Sequence, residues 1–274
     1  MKKTMFFAAL LGLVGLGLWA QVPSLKGMSI NGTTGLWTIP SARIPWERSS
    51  NLGLDLGVHT VIRSGVSVIP KFALSLFKWV ELTGAFDIQP GTRQSDMILG
   101  AKVQIPLQKV ALAFGGNYQL HNIGSNYSSS TSDFRYHQKT NATHNSGQFY
   151  GAITYAGHFF NMPAETTVVV GKTFIEHNID SSIDYGMGFD LVIFPKQLNN
   201  LIHWITEYSN FSYSTEPFRA NSWDRGVFNT GFRIDLSRIK GLGKFKFALD
   251  VLLVDGFDAN RSFSAGLVFG LPIL

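Results

Sequence analysis

Strict two-residue alternation recurs along this chain and limits its fold more than any other feature. In NLGLDLGVH (51–59), Leu52, Leu54, Leu56 and Val58 fall on one face of an extended strand, with Asn51, Gly53, Asp55, Gly57 and His59 opposite. In VSVIPKFALSL (66–76), Val66, Val68, Pro70, Phe72, Leu74 and Leu76 share the apolar face, opposite Ser67, Lys71, Ala73 and Ser75. The segment 80–88 sets Glu81, Thr83 and Asp87 on its polar side, 97–105 sets Gly100, Lys102 and Gln104 there, and 110–121 sets Asn117, Gln119 and His121 there. Further candidate strands run over 149–156, 166–174, 185–193, 203–211, 227–236, 245–253 and 262–271, with the phase open in those beginning at 149, 166 and 203. These make 12 candidate strands, an even number, as a bacterial barrel with both ends on the periplasmic side requires.

Composition separates two all-β outcomes. Only 15% of residues are charged, against about 25% in soluble domains. Yet beyond the leader no apolar run reaches the roughly 18 residues of a membrane helix. The polar faces hold Gly, Ala and Ser rather than the Lys and Glu of a solvated surface. Trp79, Phe86, Tyr118, Tyr155, Tyr185, Trp204 and Tyr208 lie near strand ends on the apolar faces, as an interfacial girdle would. A soluble sandwich also alternates, but these features favour a transmembrane antiparallel barrel over 51–274, surrounded by outer-membrane lipid.

Residues 1–20 have the form of a secretory signal peptide: Lys2 and Lys3, an apolar run from Met5 to Trp19, and Ala20 before Gln21. No cysteine is present, so neither a lipid-modified cysteine nor a disulfide is available. Removing Lys2 and Lys3 with the leader lowers the formal charge from +5 to +3, too mild to indicate a nucleic-acid partner. Export and barrel together predict the outer membrane of a diderm bacterium and insertion by the barrel-assembly machinery, although Leu274 replaces the aromatic that often ends such chains. The predicted outer connectors include 122–147 and 212–225, and most inner turns are short.

The polar faces would line a lumen with acids Asp55, Glu81, Asp87, Asp190, Asp235 and Asp250, and Glu207 if its strand is so phased. The bases are Lys71, Lys102, Arg233 and Lys246. Both signs mix, which reads as a salt-bridged interior or a narrow, weakly selective pore rather than a single-sign filter. No catalytic, metal or cofactor site is expected. His144 and Ser146 have the spacing of a lipid-hydrolase pair, but they are placed at the end of the 122–147 loop, away from mid-strand. The seven histidines are scattered, and GMG (186–188) lies in a strand without the helix a phosphate loop needs.

Residues 21–50 remain, with no strand period. GTTGLWTIPSAR (32–43), followed by the first alternating strand, resembles the N-terminal GxxGLxxxPTAR signature of the YjbH-type outer-membrane β-barrel family. Gly32, Gly35, Leu36, Pro40, Ala42 and Arg43 match, and Ser41 stands for the usual threonine. The resemblance implies an outer-membrane barrel associated with exopolysaccharide or capsule export. Read from the residues alone, Gly32 and Gly35 permit unusual backbone geometry, Pro40 and Pro45 stiffen the chain, and Trp37 and Trp46 carry large apolar surfaces. Residues 27–48 are therefore expected to fold into or under the barrel, with Arg43 paired to Asp55, Glu81 or Asp250; the alternative is a solvated periplasmic lead-in. The expected function is a narrow passive channel or an envelope component of polysaccharide export, with small solutes or polysaccharide as the partners. A non-conducting surface barrel presenting 122–147 is the alternative, with a lipid hydrolase third.

Overall fold

The computed structural model describes residues 27–47, 49–62, 65–90, 94–107, 109–122, 143–175, 183–211, 226–239, 245–257 and 261–273. The predicted leader 1–20 and the connectors 123–142 and 212–225 lie outside the described residues. Twelve strands form: β1 (Leu52–Ile62), β2 (Val66–Leu76), β3 (Val80–Gln89), β4 (Gln94–Pro106), β5 (Val110–Asn122), β6 (Thr143–Phe159), β7 (Met162–Ile175), β8 (Asp184–Val192), β9 (Ile202–Ser209), β10 (Val227–Asp235), β11 (Lys246–Val254) and β12 (Ser262–Pro272). Each pairs antiparallel with its sequence neighbours, and β1 pairs with β12 to close the barrel.

Closure removes the sheet edges, and alternation fixes which side chains face out. Phe114, Phe149, Val170, Met187 and Phe263 are more than half exposed on the outer surface, whereas Asp55, Glu81, Lys102, Arg233 and Asp250 are fully buried inside. An apolar outside around a charged inside is unstable in water and suited to lipid, where closed barrels satisfy every backbone group. The protein is an outer-membrane β-barrel. Six of the seven girdle aromatics sit on outward faces, Phe86 and Tyr118 at 42% and 49% exposure. Trp79 differs: it precedes β3 in the turn after β2, in register with the inward Gln104, so alternation does not place it on the outer face, although it is 49% exposed at the mouth.

One expected connector is shorter than the sequence implied. The segment 122–147 is not a single loop: β5 continues to Asn122 and β6 begins at Thr143, with Asn122 opposite Thr143 and Gln119 opposite Ser146. THNSGQ (143–148) hides its strand because Asn and Gly weaken its propensity and both faces are polar. The ladder with β5 supplies the order instead. The three open phases also resolve: Tyr150 and Thr154, Thr167 and Val169, and His203, Ile205 and Glu207 face inward.

The core lies inside the barrel, around residues 27–47. Ile30, Leu36, Trp37 and Ile39 form one buried cluster with wall residues including Val61, Ile69, Tyr150, Phe211, Leu252 and Val254. Ile69 shares the inward face of β2 with Ser67 and Lys71, so that face is not purely polar.

Candidate functional site

Residues 28–41 fold back on themselves within the lumen, with isolated bridges Met28–Thr34 and Gly35–Pro40. The Ile30 N–H donates to the Trp37 carbonyl (2.7 Å), and that of Ser41 to the Thr34 carbonyl (2.9 Å). Gly32 has φ +88°, and a Cβ there would lie 2.7 Å from the Gly84 carbonyl oxygen of β3. Gly35 has a different reason: a Cβ would meet the Ile39 carbonyl oxygen at 2.2 Å. Both glycines of GTTG are thus needed, one for backbone conformation and close approach, the other for close approach alone.

So short a hairpin cannot pair all of its own backbone, and buried peptide groups without partners are costly. Lumen charges complete the pairing. Glu81 accepts from the Thr34 N–H (2.9 Å) and hydroxyl (2.5 Å). Glu207 accepts from the N–H groups of Trp37 (3.0 Å), Thr38 (2.8 Å) and Ile39 (3.4 Å), and from the Thr38 hydroxyl (2.7 Å). The lysines do the reverse. Lys71 donates to the carbonyls of Met28 (3.2 Å) and Ser29 (2.7 Å), and Lys102 to those of Ser41 (3.0 Å) and Arg43 (2.9 Å). Carboxylates take the segment's N–H groups, and ammonium groups take its carbonyls.

Apolar contacts add shape. Inward glycines of β8 leave room for the segment: a Cβ on Gly186 would lie 2.4 Å from Ile39 Cγ2, and one on Gly188 2.6 Å from Leu36 Cδ1. The GMG run therefore has a definite role, as a socket for the segment. Trp37 is buried with its ring centroid 5.1 Å from that of His59 and 6.0 Å from Lys71 Nζ. Trp46 is also inside, its Nε1 donating to Asp55 Oδ1 (2.9 Å).

Every anticipated lumen charge faces inward and is buried, but the pairing differs from expectation at Arg43. It does not reach Asp55, Glu81 or Asp250. Its guanidinium lies 3.2 Å from Glu47 and 3.3 Å from Glu165, and donates to the Lys109 carbonyl (3.2 Å). The reason is the path of the chain. After the hairpin it crosses the mouth beneath the wall, with the Ala42 N–H on Thr154 of β6 (2.8 Å), that of Ile44 on Gln104 of β4 (2.8 Å), and Trp46 on Asp55 of β1. Arg43 is carried to the turns of β4–β5 and β6–β7, while the three anticipated acids already have partners.

Those partners are mostly cross-strand. Glu81 sits opposite Lys102 in register and 3.1 Å from its Nζ. Arg233 sits opposite Asp250 and grips it at two points, 2.7 and 2.9 Å; its Nη1 is 3.7 Å from Asp190, which is 2.6 Å from His203 Nδ1. Asp87 accepts from the Ser67 hydroxyl. Asp235 shares a strand face with Arg233 but turns to Arg238 (2.9 Å) in the short 3-10 turn Leu236–Arg238.

Two contacts cross β12 completely. Asp55 on β1 reaches Lys246 on β11, and His59 reaches Asp250 (3.2 Å). Each passes over an inward glycine of β12: Gly270 lies opposite both Asp55 and Lys246, and Gly266 opposite both His59 and Asp250. A Cβ at either position would fall about 2 Å from the Asp55 carboxylate or the His59 ring.

A void of about 20 Å³ lies between the hairpin and the wall at Thr34, Gly35, Glu165, Asp190 and Arg233, room for about one water. The Ser146 hydroxyl donates to Gln119 (3.1 Å), and the backbone of His144 lies in β6 opposite His121. No group of three or more metal-ligating side chains occurs among the described residues.

No family model matches the sequence, and no curated protein matches it. Solved structures similar to the chain include the KdgM porin in complex with disordered oligogalacturonate, at 7% identity over 80% of this chain and 99% of that one, TM-score 0.48. Another is the outer-membrane protein Omp33 of Acinetobacter baumannii, at 8% identity over 82% and 98%, TM-score 0.44. LpxR from Salmonella typhimurium is similar at 9% identity over 80% and 100%, TM-score 0.43.

Proposed function

We propose that the protein is an outer-membrane channel held closed by its own N-terminal segment. The observation that carries this reading is the use of the lumen charges: Glu81, Glu207, Lys71 and Lys102 bind the backbone of residues 28–43 rather than line a water path. Withdrawal of the segment leaves mixed charges and small residues around a narrow pore, suited to small polar solutes without strong ion selectivity. Polysaccharide export is the role that the GTTGLWTIPSAR resemblance implies for such a pore. The test is planar-bilayer recording of refolded protein with and without residues 27–47. Unitary currents confined to the shortened barrel support the reading; a folded, shortened barrel that stays silent sinks it.

A second reading has its own observation. Ile30, Leu36, Trp37 and Ile39 form a continuous apolar cluster with the wall, so the segment resembles a permanent core more than a detachable plug. In that case the barrel is a non-conducting surface protein, and removing 27–47 prevents assembly instead of opening a pore.

A further inference from the structure

A groove of about 700 Å³ opens at the mouth where the barrel begins and ends, between the β2–β3 and β4–β5 turns. Phe77, Trp79, Ile105 and Leu107 form its apolar side, and Lys78 stands at the rim. Arg43 and Glu47, from the exit limb of the lumen segment, line the inner side with Gln104.

The turn that shapes the groove breaks a local rule. The Trp79 N–H donates to the Leu76 carbonyl (3.2 Å), with φ +53° at Phe77 and +67° at Lys78, a type I′ turn. Such turns ordinarily use Asn-Gly, because other side chains are disfavoured at positive φ. Here the disfavoured positions hold an aromatic and a cation, followed by a second aromatic. Phe77 is 67% exposed and Trp79 49%, a poor arrangement for a turn that meets only water.

Continuity and charge identify what covers it. Ile105 and Leu107 continue the outward apolar face of Val103 on β4, so the bilayer-facing surface runs on into the groove, where the exposed rings of Phe77 and Trp79 in the turn meet it. Glu47 is the only carboxylate among the lining residues, and Arg43 (3.2 Å) and Gln104 engage it. Lys78 supplies an exposed positive charge at the rim of the groove. The volume suits a headgroup and the upper part of one acyl chain.

We propose that this groove binds one anionic phospholipid of the inner leaflet, its acyl chain against Trp79, Ile105 and Leu107 and its phosphate at Lys78. Because Arg43 and Glu47 form the back wall, the bound lipid packs on the exit limb of the lumen segment. That consequence rests on the closed-channel reading; the binding itself does not.

The test is native mass spectrometry of the full mature chain in neutral detergent, offered equal amounts of phosphatidylglycerol and phosphatidylethanolamine. Wild type is expected to retain the anionic lipid about fivefold more, the preference one lysine near a headgroup supplies. Lys78→Glu should lose the preference, Lys78→Arg keep it, and Trp79→Ala retain less of both lipids. Lys78 is an exposed turn residue, so its variants fold, and heat-modifiable migration in gels verifies this. Equal retention of the two lipids by wild type, or an unchanged preference in Lys78→Glu, overturns the proposal and leaves the groove to a protein partner. No conductance is read, so the outcome is independent of whether the barrel opens.

Discussion

Thr38 and Glu207 are joined twice: the Thr38 N–H (2.8 Å) and its hydroxyl (2.7 Å) both donate to Glu207 Oε1. The same carboxylate takes the N–H of Trp37 through its other oxygen (3.0 Å), so one wall residue holds the tip of the lumen segment. Glu207→Gln preserves volume but leaves one oxygen for several donors and brings two N–H groups of its own. Removing a charged acceptor from buried donors costs about 1–3 kcal/mol. The expected outcome is a loosened segment in an intact barrel. The chain has no cysteine, so maleimide labelling of Ala42→Cys reports this directly, with a rate about tenfold higher in the Glu207→Gln background. An unchanged rate would mean that Glu207 does not hold the segment in place.

The Arg233–Asp250 pair makes a separate prediction about the wall. Both groups are buried, and Asp250 also meets His59 while Arg233 approaches Asp190. Breaking a buried pair from one side leaves an uncompensated charge, so Asp250→Asn should destabilise the folded barrel by about 3–5 kcal/mol. Arg233→Met combined with Asp250→Leu should cost clearly less than the sum of the single changes, because neither charge is stranded. Reversible urea unfolding into lipid vesicles measures all four corners of this cycle. Strict additivity would show that the contact contributes nothing.

The strands, their inward faces and the lumen charges were legible because period-two alternation reports which side each residue occupies. Asp55, Lys102, Arg233 and Lys246 all face inward on that basis. Which charges meet was less legible. Asp55 and Lys246 lie at opposite ends of the sequence and join only because β1 and β11 flank β12 in the closed sheet. Arg43 was harder still, since an aperiodic segment has no register and its path depends on where the wall offers partners. The clue that could have been read was the glycines. Gly186, Gly188, Gly266 and Gly270 recur on inward faces, where a solvent-filled pore has no need of such small residues, and each marks a place where something crosses.

Those glycines give a third prediction. Gly266→Val and Gly270→Val place branched side chains where the His59–Asp250 and Asp55–Lys246 contacts pass over β12. Overpacking of this kind costs about 1–3 kcal/mol, and displacing a buried ionic contact adds to it. Both variants should show a reduced folded fraction in heat-modifiable gel migration. Gly147→Ala is the control, because nothing lies within 4 Å of a Cβ built there, and it should fold like wild type. Equal loss in all three variants would indicate a general strand-propensity effect rather than blocked crossings.

Arg43 separates the two parts of the lumen segment. It clamps the exit limb at the mouth through Glu47, Glu165 and the Lys109 carbonyl, whereas Glu81, Glu207 and Lys71 hold the hairpin above it and Lys102 holds the Ser41 and Arg43 carbonyls at the junction. Arg43→Ala should therefore free the limb without emptying the lumen. On the proposed closed-channel reading, single-channel recordings of this variant should remain far below those of the barrel lacking residues 27–47, with at most brief openings. Glu207→Gln should open more often than Arg43→Ala, and the double variant more than either, because the hairpin and its tether then fail together. If Arg43→Ala alone reproduces the current of the shortened barrel, the clamp at the mouth, not the hydrogen-bonded hairpin, is what keeps the channel closed.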